Sequence, residues 1–354
     1  MIWISLLLIS FLSAITRKFE RICGLFSFLG IGYLVGTPNY QYNGDAVVYM
    51  NSYATRSNQF EKGYNWLTNI ASNQFDYATF RLYSSLILYV LIFIVILMFT
   101  KHVTIISFFY AIAMFPFDND QVRNAMASLF ILLGAYFLIR WDKKGIIPAF
   151  IIIFIGSLFH SLALFFLLLP VIWIIRKSIQ NHFKSYFVML SIVALVFEIL
   201  GSSNLLPFLT ALITRFSSRV DAANNMSTIY NAGSTHLLFW STFYAITLYF
   251  IVTGYTLKKG LNNKYEKYYS LFLCSFILWT SAFILLTISV DYVRILRVVG
   301  FFYIILIAKL MSENFKTFHF KLYAYSFIGA ILLMAIQIKG YGLSLETIKS
   351  IIGR

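Results

Sequence analysis

Leu82–Thr100 reads LYSSLILYVLIFIVILMFT, a run without a single charge, and its length decides the architecture. A bilayer's hydrocarbon core is about 30 Å thick and takes roughly 20 apolar residues to cross as a helix. Leu237–Tyr255 and Leu271–Val290 are runs of the same kind. Lipid offers no partner to backbone N–H and C=O groups, so repeated runs of this length predict a helical bundle. Composition agrees, since 60% of the 354 residues are hydrophobic and only 12% are charged, about half the usual share for a soluble domain. The expected fold class is all-α: a polytopic integral-membrane bundle of about 12 spans, with residues 1–354 forming a single membrane domain.

The formal charge of +15 raises the question of nucleic acid, but no basic soluble domain is present to hold a duplex. The charge lies instead in the gaps between apolar runs. Thirteen of 16 lysines fall in one alternating set of gaps and eight of 12 arginines in the other. The first set comprises Arg17/Lys18/Arg21, Lys101, Arg140/Lys143/Lys144, Arg176/Lys177/Lys184, Lys258–Lys267 and Lys309–Lys321, and the positive-inside bias assigns it to the cytoplasm. Met1–Thr16 is apolar and followed by basic residues, the reverse of a signal peptide's order, so it reads as a retained first span with its N-terminus outside. Two long external loops follow, residues 37–80 and 201–236. Cys23 and Cys274 sit in apolar segments at a spacing unlike any metal site, which predicts neither disulfide nor zinc.

The sidedness strains two stretches. Lys101, Arg140 and Arg176 must share a side, so Val103–Ile139 and Ile146–Ile175 each run there and back. The second stretch has 30 residues; roughly 15 per arm span about 22 Å, too short to cross fully. One tilted helix over Ile146–Ile175 is the alternative, but it would put Lys258–Lys267 outside. Irregular backbone below the membrane surface is tolerated where it faces protein or a water-filled cavity. The tips, Phe117–Asn124 (FDNDQVRN) and Ser157–Ser161 (SLFHS), are therefore expected to place Arg123 and His160 in an external cavity.

Arginine's planar five-donor fork matches phosphate and carboxylate in bidentate fashion, so an external excess of arginine points to an anionic ligand. Arg123, Arg215, Arg219, Arg294 and Arg297 lie at membrane boundaries, and the pairs Arg215/Arg219 and Arg294/Arg297 have helical same-face spacing. The bland reading is snorkelling to lipid phosphates and pairing with Asp118, Asp120, Asp221 or Asp291. His160 is a candidate general base at external pH, with His236 as its rival; a packing histidine is the alternative. Asp45, Tyr49 and Tyr53 recur every four residues and would stack on one face of a helix starting near Asp45. Aromatic faces beside carboxylates suit sugar rings, although tyrosine is also the ordinary interfacial anchor. There is no Gly-rich phosphate loop, serine-hydrolase elbow or metal-ligand cluster in the sequence.

These pieces together resemble the Wzy-type O-antigen and exopolysaccharide polymerases, in particular their EpsG-like branch. The resemblance is carried by Gly44-Asp45 with Tyr49 and Tyr53, then Glu61–Leu67 (EKGYNWL), Val122–Ala127 (VRNAMA), Phe159–Leu164 (FHSLAL) and Arg294–Tyr303. It implies a glycosyltransferase of the bacterial inner membrane with its active site facing the periplasm. Donor and acceptor would both be undecaprenyl-diphosphate-linked glycans, with no cofactor, no metal and no nucleic acid. Surrounding membrane lipid and a chain-length-regulating co-polymerase are the further partners implied. Carried onto this sequence, Arg123, Arg215, Arg219 and Arg294 become diphosphate ligands, with Arg297 on the same helical face. His160 or Asp45 would activate the acceptor, and Tyr49, Tyr53 and His236 would line the glycan path.

Two other readings use the same residues. A lipid-linked oligosaccharide flippase would also need about 12 spans and internal arginines, but it would show pseudo-symmetric halves, and no repeat is evident. A membrane acyltransferase modifying surface glycan would use His160 and Arg294/Arg297, with polar residues converging from the cytoplasmic side as well.

Overall fold

A computed structural model of the protein describes residues 1–199, 236–258, 265–286, 290–311 and 319–341, and among these residues every regular element is a helix. The first five are α1 (Ile2–Thr16), α2 (Glu20–Gly36), α3 (Gly44–Thr55), α4 (Lys62–Ala71) and α5 (Tyr77–Phe99). Next come α6 (Val103–Ala113), the single turn α7 (Phe115–Asp118), α8 (Val122–Trp141) and α9 (Ile146–Ser157). The short α10 (Leu162–Phe166) and α11 (Leu168–Ile174) lead into α12 (Arg176–Ile199). After the second long segment come α13 (His236–Lys258), α14 (Glu266–Leu286), α15 (Arg294–Met311) and α16 (His319–Tyr341). Residues 201–235 of the expected second loop, with Arg215 and Arg219, lie outside the described residues.

Tyr77–Phe99, Val122–Ser157 and Phe320–Ile338 are long and apolar enough to cross a membrane. Leu162–Ile174 with Arg176–Val196, bent by 107°, would make a fourth. Among the described residues this makes three or four spans against the expected 12, and the cause is local. The helix α1 has 15 residues and α6 has 11, while α2, at 17, opens with Glu20 and Arg21. Within Val122–Ser157 the chain turns back at Asp142–Gly145, and α8 packs against α9. Built Cβ atoms on Gly134 and Gly156 would lie 2.7 Å from Ile153 and 2.8 Å from Phe130, so both glycines are needed for that close approach. Ile146–Ile175 likewise folds back at Leu158–Ser161 and is not one tilted helix.

Contacts between distant segments sort the helix ends. The Arg17 guanidinium donates to Met311 O (2.7 Å), and His102 Nδ1 lies 2.7 Å from the Glu20 carboxylate. Arg176 binds Asp142 (2.7 Å), Lys267 donates to Ile139 O (3.3 Å), and Lys309 lies over the Tyr268 ring. The basic clusters assigned to the cytoplasm thus meet at one end of the bundle. The opposite end holds Asn43, Arg81, Asp118–Gln121, Arg123 and Arg297. Among the described residues, alternation of lysine-rich and arginine-rich gaps along the chain is therefore alternation between two ends in space.

Residues 37–80 are not a plain loop. Two helices, α3 and α4, occupy much of it and cover the arginine-rich end. Asn43 caps α3 by accepting from Ala46 N (2.7 Å), and Asp76 caps α5 by accepting from Thr79 N (2.8 Å). Tyr49, Tyr53, Phe60 and Tyr64 face inward and are buried, so the cover has its own aromatic core.

Candidate functional site

The Val122–Arg123 step begins α8 at the arginine-rich end, directly under the aromatic cover. Arg123 is buried there, with its guanidinium 4.2 Å from the centre of the Phe60 ring, 5.3 Å from Tyr49 and 5.7 Å from Tyr64. Three ring faces around a planar cation form an aromatic cage. Its Nη1 is paired with Glu61, and its Nε donates to the Tyr49 hydroxyl (3.3 Å). The other Glu61 oxygen accepts from Ser161 N (3.1 Å), so one carboxylate joins α4, α8 and the second hairpin tip. Burial raises the Tyr49 and Tyr64 hydroxyls above the usual phenol range, and both stay protonated donors.

That tip is sealed against α4. Gly63 N and Tyr64 N both donate to Leu158 O, at 2.8 and 3.2 Å. His160 is buried rather than lining an open cavity, and its Nδ1 accepts the backbone N–H of Leu162 (3.0 Å). A backbone N–H can only donate, so the neutral imidazole carries its proton on Nε2. In that tautomer His160 presents a donor, which is the opposite of what a general base requires.

Arg297 is held by the bland arrangement that its sequence allowed. Its Nη1 donates to Asp118 (2.8 Å) and its Nη2 to Gln121 Oε1 (2.6 Å), and both members of the ion pair are almost wholly buried. Asp118 also accepts from the Tyr110 hydroxyl, which in turn meets Tyr89. Burial holds the Asp118 carboxyl above the ordinary carboxylate range although Arg297 opposes it. Arg294 opens α15 three residues earlier and is half-buried. His236 is the first residue of α13, and its side chain lies outside the described residues.

The expected tyrosines divide in the same way. Tyr49 and Tyr53 share the inner face of α3, as their spacing requires, but only Tyr49 touches the arginine. Tyr53 donates its hydroxyl to Phe75 O (2.9 Å) and stacks on Phe80, so it is bound into the packing of the cover. Asp45, in the first turn of α3, is half-buried beside the turn between α7 and α8.

Sequence reading passed over Arg81, Glu61, Asp120 and Gln121 as site residues. Arg81 is 1% exposed; its Nε donates to Val35 O (3.0 Å) and its Nη2 to Asn119 O (2.8 Å), tying α5 to the end of α2 and to the first tip. Its position four residues into an apolar helix was the available signal, since a permanent cation there must find internal partners. Alongside this cluster, an apolar groove of about 380 Å³ is lined by Leu67, Ile70, Ile87, Met126, Phe130 and Phe159. Met126 is one turn along α8 from Arg123, so the groove runs away from the caged cation.

Among known proteins, a family model described as EpsG family matches residues 19–344. No curated protein and no solved structure matches the chain.

Proposed function

Because the chain belongs to the EpsG family, a Wzy-like polymerase family, we propose that it lengthens a surface polysaccharide by joining undecaprenyl-diphosphate-linked repeat units at the arginine-rich end. The observation that carries this reading is the juxtaposition of the Arg123 cage with the apolar groove. A polyprenyl diphosphate has one apolar tail and one anionic head; the groove matches the tail, and the guanidinium one turn along α8 would exchange its Glu61 partner for the head. The helices too short or too polar to span alone are proposed to complete a bundle of about 12 segments in the bacterial inner membrane. Positive-inside bias then puts the lysine-rich end in the cytoplasm and the arginine-rich end in the periplasm.

In this reading the acceptor sugar's hydroxyl oxygen attacks the anomeric carbon of the donor, and the bond from that carbon to the diphosphate oxygen breaks. Charge accumulates on the leaving diphosphate, where fixed cations in a water-poor site stabilise it most. Arg123 and Arg294, with Arg215 and Arg219 of the second long segment, are proposed to receive that charge. Arg297 acts at one remove, by holding the first tip through Asp118 and Gln121. Tyr49 borders the same space from α3 and is proposed to line the glycan path.

The test is the glycolipid profile of a strain lacking the gene, complemented with the full chain. Cores carrying a single repeat unit in the deletion, and a restored ladder on complementation, are the expected result. Loss of all external repeat units would make the protein a flippase, and full-length chains lacking an acyl group would make it an acyltransferase.

A further inference from the structure

Attack by a sugar hydroxyl requires a group to take its proton, and the tautomer of His160 does not offer one. The turn between α7 and α8 does. Asp120 lies there, mostly buried, and its carboxylate accepts the backbone N–H of Asp45 at the start of α3. Its Oδ1 is shielded from solvent and has no hydrogen-bond partner. An acceptor-only oxygen buried in this way is costly, and a hydroxyl approaching it supplies the missing donor. The start of α3 next to it is open, because a Cβ built on Gly44 would meet nothing within 4 Å.

We propose that Asp120, backed by Asp45, is the proton acceptor for the attacking sugar hydroxyl. The proposal rests on the glycosyl-transfer reading above. As the new bond to the anomeric carbon forms, the hydroxyl proton passes to the Asp120 carboxylate. The diphosphate lipid departs with the electron pair of the broken bond, and Asp120 returns its proton to bulk water before the next turnover. Charged groups face Asp120 from three elements: Asp45 on α3, Arg81 on α5 and Arg297 on α15. Burial first, and then the Asp45 charge, push its carboxyl up to about 6, with Arg81 and Arg297 opposing.

A purely structural Asp120 would only cap α3, and Asn can accept the same N–H without taking a proton. The discriminating experiment follows ladder growth in the complemented deletion strain as the medium is varied between about pH 5 and 8. Wild type should lose rate about tenfold per pH unit below about 6, because the proton-accepting form is then depleted. Asp120→Asn should slow growth by about 100-fold or more at unchanged protein level, with Asp120→Glu partly recovering it. Asp45→Asn should move the acidic limb to lower pH by removing the like charge. A wild-type ladder and pH profile in Asp120→Asn overturns the proposal; should that variant fail to accumulate, an unmoved limb in Asp45→Asn overturns it instead. A deletion strain without single-repeat cores would defeat the polymerase reading itself, which is a separate outcome.

Discussion

Arg123 and Arg297 stand at the same end of the bundle, yet their surroundings assign them different work. The three rings around Arg123 need a flat cation, and Glu61 needs a directed donor. A lysine ammonium keeps the charge but lacks the fork, so Arg123→Lys should shorten the glycan ladder severely; wild-type chain lengths would remove Arg123 from the site. The buried pair of Arg297 with Asp118 is a matter of stability first. Arg297→Met leaves an uncompensated carboxylate and should cost about 3–5 kcal/mol in thermal unfolding of the detergent-solubilised full chain. The double variant with Asp118→Asn should recover most of that loss, and equal instability of single and double variants would deny the coupling. The sequence marked both arginines but not this distinction, because Asp118 is 179 residues from Arg297 along the chain. His160 shows the same limit, since its place in a hairpin tip was legible and its tautomer, set by one backbone N–H, was not.

At the level of elements, the helix beginning at Asp45 was readable because Asp45, Tyr49 and Tyr53 keep a four-residue rhythm. The helix α4 was not, for Lys62–Ala71 is polar and carries only a narrow apolar stripe that makes sense once Phe60 and Tyr64 have a cage to build. A structureless loop as long as residues 37–80 is uncommon in a compact fold, and the two helices inside it fit that rule. The docking of α4 on the second tip can be tested through one glycine. A Cβ on Gly63 would stand 2.8 Å from Leu158 O and 2.9 Å from Leu158 Cβ, against backbone that cannot swing aside. Gly63→Ala should therefore lift α4 and markedly reduce chain growth, whereas Gly44→Ala, with open space around it, should leave protein level and thermal stability near wild type. Equal tolerance of both changes would show that the seal on the tip is dispensable.

For the whole molecule, the sorting of helix ends turns a charge pattern into a topology that labelling can check. A cysteine at exposed Gln59 should react with a membrane-impermeant maleimide in cells whose outer barrier has been opened, and one at exposed Lys143 only after lysis. Reversed reactivity would invert the bundle and take the proposed reaction to the cytoplasm. The separation of lysine-rich from arginine-rich ends was legible from residue counts, and so was family membership from a handful of short motifs. Among the described residues only three or four helices meet the length and apolarity of a lone span, because those measures describe isolated helices, whereas packed neighbours allow short and polar ones. The web at the arginine-rich end bears finally on how such a sequence can drift. Arg81, Arg123 and Arg297 take their partners from α2, the α7–α8 turn and the chain just before α4, and none can change without stranding a charge or a carbonyl elsewhere. Substitution here must proceed in matched sets, Glu61 with Arg123 and Asp118 with Arg297, so the region should diverge by rare paired steps while the lipid-facing surfaces vary one residue at a time.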